Sequence, residues 1–288
     1  MSFESRELEF RISLAKGATG ELTGETVTLS GYRATVSIEQ YGGASMGHVQ
    51  AAIYGLPLDL IKRLTTIGTI ATQIRAKNTI EILAGDEKNG LSTIFIGVIY
   101  IAWANFSQLP AAPLQIEAFS ALDVATEAAT ATSFSGDVAV ANIMKVLAQK
   151  GGLTLVNSGV TGSLSDPAFN GSARDQIMKC AEAAGINQSI WLKKLYIWPQ
   201  GSYLTIDPVV VSPSDGLVGY PSFSSQFVMV DCEFAPTLTV GGRLTVEDSQ
   251  LGSMVDGTWV CIVVQHELAS QQPGGKWFTH AEMTYRVA

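Results

Sequence analysis

The chain has 288 residues, of which 47% are hydrophobic and only 15% are charged, and its mean hydropathy is +0.23. This composition excludes a disordered chain, because there is ample apolar surface to bury and little charge repulsion. The net charge of −8 argues against nucleic-acid binding by a basic groove, since such a groove needs Lys and Arg to neutralise phosphates. The shortage of charged residues indicates that much of the outer surface meets other protein or, as the second alternative, lipid.

Residues 1–121 are predicted to form mainly β-strands. Apolar and polar residues alternate from Leu8 to Leu14, with the two-residue period of a half-buried strand. A Gly-containing turn follows at 16–20, and one helix is predicted with Pro57 at its first position and an end at Gly68. The stretch is therefore predicted to be a first β-barrel or sandwich with a short helix. Further strands are expected at 27–29, 35–38, 79–84, 94–102 and 114–119.

Residues 122–207 are predicted to form a small inserted α+β domain. One helix is expected to begin at a Ser135 cap and to end at Gly151. After a loop over 157–170, a second helix is expected between a Ser172–Asp175 capping box and Gly185. A hairpin is expected to turn at Pro199-Gln200-Gly201.

Residues 208–288 return to strands and are predicted to form a second β-barrel. Four strands alone seldom close a stable barrel, so they are expected to pair with other segments of the chain or with another subunit. The candidate strands cover residues 227–234, 237–246, 257–268 and 277–286.

The sequence offers no convincing catalytic, metal or cofactor site. His266-Glu267-Leu268-Ala269-Ser270 has serine where a zinc-protease helix needs a second histidine, and the segment is predicted to be a strand. Gly43-Ala44-Ser45-Met46-Gly47 fits the pattern around a nucleophilic serine, but an extended segment follows it where a helix is required. The chain is therefore predicted to be no enzyme and to bind no cofactor or metal.

The cysteines and apolar runs favour a protein made in a cytoplasm. Three cysteines without metal spacing indicate reduced thiols, and Cys180 and Cys261 are predicted to be buried. No signal peptide is expected, and the longest apolar run, 94–104, is too short for a membrane-spanning helix.

The last third carries a more specific order of motifs. The loop Gly216-Leu217-Val218-Gly219-Tyr220-Pro221 precedes a strand, then come Ala235-Pro236 and Gly241-Gly242, and a closing hairpin contains 259–268 and 273–279. This order resembles the baseplate hub proteins of phage contractile tails, the late control D-type or tail hub family. The resemblance covers residues 208–288 and is fainter at 95–97 and 113–116. Ala235 stands where that family frequently has asparagine.

The resemblance implies two tube-like β-barrels and a small α+β domain, assembled as a homotrimer. Its pseudo-six-fold ring would adapt a six-fold tail tube to a three-fold spike and form part of the DNA channel. The implied partners are a tail tube or tube-initiator protein above, a spike protein below and baseplate wedge proteins around, with DNA only in transit and no membrane. The protein would reside in the tail baseplate of the virion and be made in the host cytoplasm.

A DNA channel benefits from a negative wall, because it repels phosphate and keeps transit fast. Candidate lumen-lining acidic residues are Glu39, Glu81, Asp86 and Glu87. An alternative function is a peptidoglycan-binding or peptidoglycan-cleaving tail module. An outer-membrane barrel is a third and weaker alternative, because helices and irregular loops interrupt the strands.

Overall fold

The computed structural model describes residues 6–15, 24–65, 78–104, 106–108 and 112–287. Over this part the chain is mainly β with a smaller helical portion, which confirms the predicted fold class. Two compact units are present, and each is assembled from separate stretches of chain. None of the described helices has the length and apolar content that crossing a membrane requires. Unit 1 comprises Met1–Glu39, His48–Ser120 and His266–Phe278, and unit 2 comprises Gln40–Gly47, Ala121–Gln265 and Thr279–Ala288.

Unit 1 contains a meandering sheet whose strands β3, β4, β7, β6, β5, β1 and β2 are neighbours in that order. The predicted alternation in β1 is confirmed, because Leu8, Phe10 and Ile12 are buried while their neighbours are not. The strands are β1 (Arg6–Ser13), β2 (Thr26–Leu29), β3 (Ala34–Tyr41, its last two residues in unit 2), β4 (His48–Ile53), β5 (Thr79–Asp86), β6 (Gly90–Ala104) and β7 (Leu114–Phe119).

The helix of unit 1, α1, spans Leu58–Leu64, and a 3-10 turn follows later at Phe106–Gln108. Pro57 is the residue before the helix rather than its first residue, so the predicted start was one residue early. The extended backbone of Pro57, with ψ at 142°, is the reason. The predicted helix end at Gly68 and the turn at 16–20 lie outside the described residues.

The middle of the chain, within unit 2, forms an α+β layer around its own apolar core. The capping box is confirmed: Ser172 and Asp175 exchange side-chain and backbone hydrogen bonds, and Gly185 ends the helix with φ at 60°. Its helices are α2 (Leu122–Thr126), α3 (Val140–Lys150) and α4 (Ala173–Ala184). Its strands are β8 (Thr132–Ser133), β9 (Asp137–Ala139), β10 (Thr154–Asn157), β11 (Ser163–Ser165), β12 (Ala168–Phe169), β13 (Ile186–Trp191) and β14 (Lys194–Pro199).

Two local predictions in this layer were wrong. Ser135 does not cap α3, because residues 137–139 pair as β9 with β11, and that pairing delays the helix to Val140. The segment 157–170, predicted to be a loop, contains the short strands β11 and β12, because β11 pairs with β9 and β12 pairs with β8.

The predicted hairpin is displaced by several residues. The paired strands β13 and β14 are joined by a turn at Leu192 and Lys193, with φ at 48° and 58°. The residues Pro199-Gln200-Gly201 do form a turn, but it follows β14 and does not join two paired strands. Two adjacent left-handed residues fit the tight turn that matches strand twist, which Asn-Gly usually forms. Because neither residue is Gly or Asn, the sequence gives no signal for this turn.

The last part of the chain forms six strands ordered β15, β18, β19, β20, β17 and β16. They belong to unit 2, except that residues 266–270 of β19 and 277–278 of β20 belong to unit 1. The predicted strand over 237–246 begins only at Arg243, because Gly241, with φ at 79°, turns the chain and donates to Cys261. The predicted loop 216–221 is largely strand. The strands are β15 (Val209–Val211), β16 (Leu217–Phe223), β17 (Val228–Glu233), β18 (Arg243–Val246), β19 (Gly257–Ser270) and β20 (Trp277–Arg286), with a 3-10 turn at Gly252–Met254.

Close packing around Gly97 in β6 gives a test of the unit 1 core. A methyl group on Gly97 would lie 2.5 Å from the Phe119 carbonyl oxygen and 2.7 Å from the Phe95 ring. We expect Gly97→Ala to lower the free energy of unfolding by about 1–3 kcal/mol, because overpacking forces a backbone shift. Chemical denaturation measures this. Gly162→Ala is the control, since a methyl group there meets nothing within 4 Å. Equal effects of the two substitutions would contradict the packing described.

Candidate assembly surfaces

The predicted acidic residues lie on one face of the unit 1 sheet or at its hairpin tip. Glu39 lies opposite His48, and the same cross-strand row continues through Phe119 and Val98 to Thr79. Because side chains alternate along a strand, Glu81, two residues beyond Thr79, shares this face. We call it the outer face of unit 1. Three strands separate Glu39 from Glu81, which is about 19 Å at ordinary strand spacing, so the structure does not make them neighbours.

Glu81 is partly neutralised by its surroundings. The Thr93 hydroxyl donates to one carboxylate oxygen at 2.8 Å, and Arg11 lies 3.5 Å from the other. Arg11 also donates to Glu9 at 2.7 Å, so one guanidinium serves two carboxylates on neighbouring strands. This stretch of the outer face therefore keeps a net negative charge.

Asp86 stabilises the β5–β6 hairpin. Its carboxylate accepts hydrogen bonds from the backbone N–H groups of Lys88 and Asn89, at 2.9 and 2.7 Å, and from the Asn89 side-chain amide at 2.9 Å. These hydrogen bonds, led by that of the Asn89 backbone, lower the pKa of Asp86 below its ordinary value. Glu87 is exposed in the same turn. Stabilisation of the turn is therefore a sufficient reason for an aspartate at position 86, whether or not this residue lines a channel.

Further acidic residues of the outer face, among them Glu117 and Glu9, were missed from the sequence. Glu117 lies opposite Gln50 on β7, and Glu9 lies on β1 beside Arg11. Both occupy polar positions of strands whose alternation was predicted, so the two-residue period was the signal that could have found them.

An aromatic cluster interrupts the polar outer face. His48 stacks on Phe119 with 4.7 Å between ring centroids, and Tyr100 meets the edge of Phe119 at 5.7 Å. Tyr100 is 54% exposed, and the buried Nε2 atom of His48 has no hydrogen-bond partner within the described residues. The outer face of unit 1 therefore combines its polar residues with apolar ones, Phe119, Tyr100 and the buried Val98.

Among the described residues, two strands of unit 2 have a strand partner on one side only, so each has an open edge. Strand β16 pairs with β17 on one side, through a register shift between Val218 and Ser222. Its Tyr220 is 70% exposed and its Phe223 is 50% exposed. Strand β15, which pairs with β18, exposes Val210. Unpaired N–H and C=O groups beside exposed apolar side chains favour pairing with another chain.

The residues considered for catalysis are dispersed or buried. His266 lies within β19, and burial lowers its pKa to about 4, so it is neutral at pH 7. Burial is also the main cause that raises the pKa of Cys180 and Cys232 to about 12, and the predicted burial of Cys180 and Cys261 is confirmed. Over the described part of the chain, no three His, Cys, Asp or Glu side chains are grouped to hold a metal ion.

A family of tail proteins matches most of the sequence. The family model described as baseplate hub gp41 matches residues 57–281, well over half of the chain. The chain belongs to this baseplate hub family. The comparison with curated protein sequences found no match. The predicted resemblance to baseplate hubs is therefore confirmed, and the protein has a structural role in a phage tail baseplate.

Solved structures of tail proteins share the fold over nearly the whole chain. A tail protein of Neisseria meningitidis MC58 is similar with a TM-score of 0.64 and 9% identity, covering 97% of this chain and 96% of that one. The 43 kDa tail protein of prophage MuSo2 from Shewanella oneidensis is similar with a TM-score of 0.58 and 9% identity, covering 96% of this chain and 97% of that one. An E. coli type VI secretion component is similar with a TM-score of 0.58 and 10% identity, covering 89% of this chain and 76% of that one. That component is itself structurally similar to the T4 tail proteins gp27 and gp5.

The Asp86 turn predicts a pH-dependent contribution to stability. A carboxyl with a depressed folded-state pKa stabilises the fold above its unfolded pKa, near 3.8, and loses that contribution as the pH falls through the folded value. We expect Asp86→Ala to lower the melting temperature at pH 6, and the gap to the unmodified protein to shrink below pH of about 4. Thermal unfolding at several pH values measures this.

The neighbouring exposed side chain provides the control. Glu87→Ala leaves the hydrogen bonds of the turn in place and is expected to change the melting temperature little. A gap for Asp86→Ala that stays constant from pH 6 to pH 3 would contradict the assigned role.

Proposed function

We propose that this chain is the central hub of its baseplate, a homotrimer whose ring adapts a six-fold tail tube to a three-fold spike and forms part of the DNA channel. The observation that carries the proposal is the match of residues 57–281 to a baseplate hub family. Two β-rich portions of the chain, at 1–121 and 208–288, flank the inserted α+β domain at 122–207. Three copies of two barrels give the six similar modules that a six-fold tube requires.

The open edges of unit 2 support closure by neighbouring copies. An edge such as β16 on one protomer and a different edge such as β15 on the next form a head-to-tail contact, which closes into a ring when the rotation between copies is right. Tyr220 and Phe223 supply apolar surface at this contact. Pairing also satisfies backbone groups that would otherwise promote uncontrolled association.

The remaining parts of the proposal concern partners and location. The ring contacts a tail tube or tube-initiator protein above, a spike protein below and wedge proteins around it. It assembles in the host cytoplasm and stays in the virion. It carries out no chemistry, a view supported by its membership of a structural family.

The oligomeric state tests the proposal directly. Light scattering after size exclusion is expected to give about 92 kDa, three times the 30.6 kDa chain, at all accessible concentrations. The double variant Tyr220→Asp, Phe223→Asp is expected to give monomers. Burying each large apolar side chain contributes about 1.5–3 kcal/mol, so losing two of them weakens association at least 100-fold.

A substitution of the same kind away from the strand edges is the control. Met254→Asp changes an exposed apolar residue in a 3-10 turn of unit 2 and is expected to leave the trimer intact. Circular dichroism establishes that each variant is folded. A monomeric unmodified protein, or one that clears a cell-wall suspension, would favour the peptidoglycan module over the hub.

We further propose that the outer face of unit 1 borders the DNA channel, with Glu39 and Glu81 among its acidic residues and Asp86 and Glu87 at its hairpin tip. Glu117 strengthens the negative field of this face. Because phosphate is repelled there, the channel does not retain DNA.

A charge reversal of the channel face tests this assignment. We expect Glu39→Lys with Glu117→Lys to bind a linear DNA duplex at least tenfold more tightly than the unmodified ring at 0.15 M salt, since each lysine neutralises a phosphate. Glu81 is left unchanged because it pairs with Arg11. Fluorescence anisotropy measures the affinity.

The control carries the same net charge on unit 2. Glu127 and Asp137 are exposed there, so Glu127→Lys with Asp137→Lys matches the charge change. Equal DNA affinity of the two double variants would contradict the channel assignment, as would an assembled ring whose lumen is lined mainly by Lys and Arg.

A further inference from the structure

Unit 2 contains a cleft of about 600 Å³, a volume in the range of sites for small ligands or short peptide segments. Five parts of the unit line it: the segment 40–47, which is the end of β3 and the loop after it and is called the 40–47 loop; helix α4; the β13–β14 hairpin with the turn that follows it; the turn before β18 that contains Val240; and strands β19 and β20. Its interior is mainly apolar. Apolar lining residues include Met178, Ile186, Trp198, Val240, Cys261 and Ile262.

The 40–47 loop is held as a rigid wall of the cleft. Gln40, only 2% exposed, donates to the Thr239 hydroxyl at 2.8 Å and accepts from the Val240 N–H at 3.2 Å. Further along the loop, the Gln188 side-chain amide donates to the Gly43 carbonyl at 2.7 Å. Arg174 of α4 donates to the Ala44 carbonyl. A wall fixed by so many hydrogen bonds is pre-formed, which reduces the entropic cost of binding.

The floor of the cleft suits an apolar side chain better than a sugar ring. Trp198 is only 4% exposed, and Gly241 covers its ring, since a methyl group on that glycine would lie 2.7 Å away. The Tyr285 hydroxyl is engaged with the Ser202 carbonyl. The Trp198 ring is therefore not free to stack broadly on a sugar, which is a common way for proteins to bind carbohydrate.

The rim of the cleft selects for positive charge. Glu182 is the one charged residue among the described residues that line the cleft. It lies in the last turn of α4, where the helix dipole is negative, and that turn has no basic residue. The two cations of the same helix are engaged elsewhere, Arg174 with Ala44 and Lys179 with Asn170. A guanidinium or ammonium group placed at the rim would meet two negative contributions.

We propose that this cleft binds a segment of a neighbouring tail protein in which an arginine or lysine adjoins an apolar side chain. The apolar side chain enters the floor, and the cation lies against Glu182 and the carboxyl end of α4. Amide side chains at the rim, such as Asn187 and Gln200, match the polar groups of a peptide backbone. The inference rests on the proposed hub function, since it assumes a protein partner in the tail.

A peptide titration of the full-length protein tests the inference. The probe is the blocked tripeptide Leu-Arg-Leu, compared with blocked Leu-Glu-Leu and with a tetramer of N-acetylglucosamine. The Met178 methyl resonance, assigned with Met178→Leu, reports on the cleft. We expect saturable millimolar binding of the arginine peptide, at least tenfold weaker binding of the glutamate peptide, and no shift with the sugar.

Charge variants locate the site. Glu182→Lys is expected to lower the affinity for the arginine peptide at least tenfold. Glu127→Lys, an equal charge change outside the cleft, is expected to leave that affinity within twofold of the unmodified protein. Preference for the glutamate peptide, a Met178 shift with the sugar instead, or no shift up to 10 mM peptide would overturn the proposal. The particle mass is measured on the same samples. A trimer that does not bind the peptide would overturn only the proposal about the cleft, whereas a monomer would overturn the proposed hub function.

Discussion

The requirement that backbone N–H and C=O groups find partners governs how this protein is built and what it can become. Over most of the described chain, neighbouring strands meet this requirement. At the ends of unit 2, however, β15 and β16 each have one paired side and expose Val210, Tyr220 and Phe223. Soluble proteins usually protect such edges with charges, proline or covering loops. Pro221 and the irregular register of β16 offer partial protection of this kind, but Tyr220 and Phe223 stay exposed beside the edge.

Charge is distributed in a way that fits the same logic. Only 15% of the residues are charged, so charged side chains are sparse on the surface, and several of the acidic ones have definite positions. Some are structural, as Asp86 is in its turn. Others, such as Glu39 and Glu117, lie on a sheet face that also exposes Tyr100, so the outer face of unit 1 carries both acidic side chains and an exposed aromatic ring.

Sequence reasoning succeeded where a signal is local and periodic. The alternation from Leu8 to Ile12 predicted a buried face, and Ser172 with Asp175 predicted a helix start to the residue. It failed where tertiary pairing decides. The turn at Leu192 and Lys193 lacks Gly and Asn, and it forms because the strands on either side pair in a fixed register. Glu117 of the outer face could have been found from the two-residue period of its strand. The exposed Tyr220 of β16 could not, because its segment was interpreted as a loop.

The Gln40 network shows what sequence could not predict about the cleft. Burying a polar amide is unfavourable unless its groups are all bonded, and a leucine at this position would fill similar space without that requirement. The amide instead ties the start of the 40–47 loop to Thr239 and Val240, residues about two hundred positions away in the chain. An apolar side chain could pack there but could not fix the loop in one position. The amide therefore fixes the position of the loop, and the loop is one wall of the cleft.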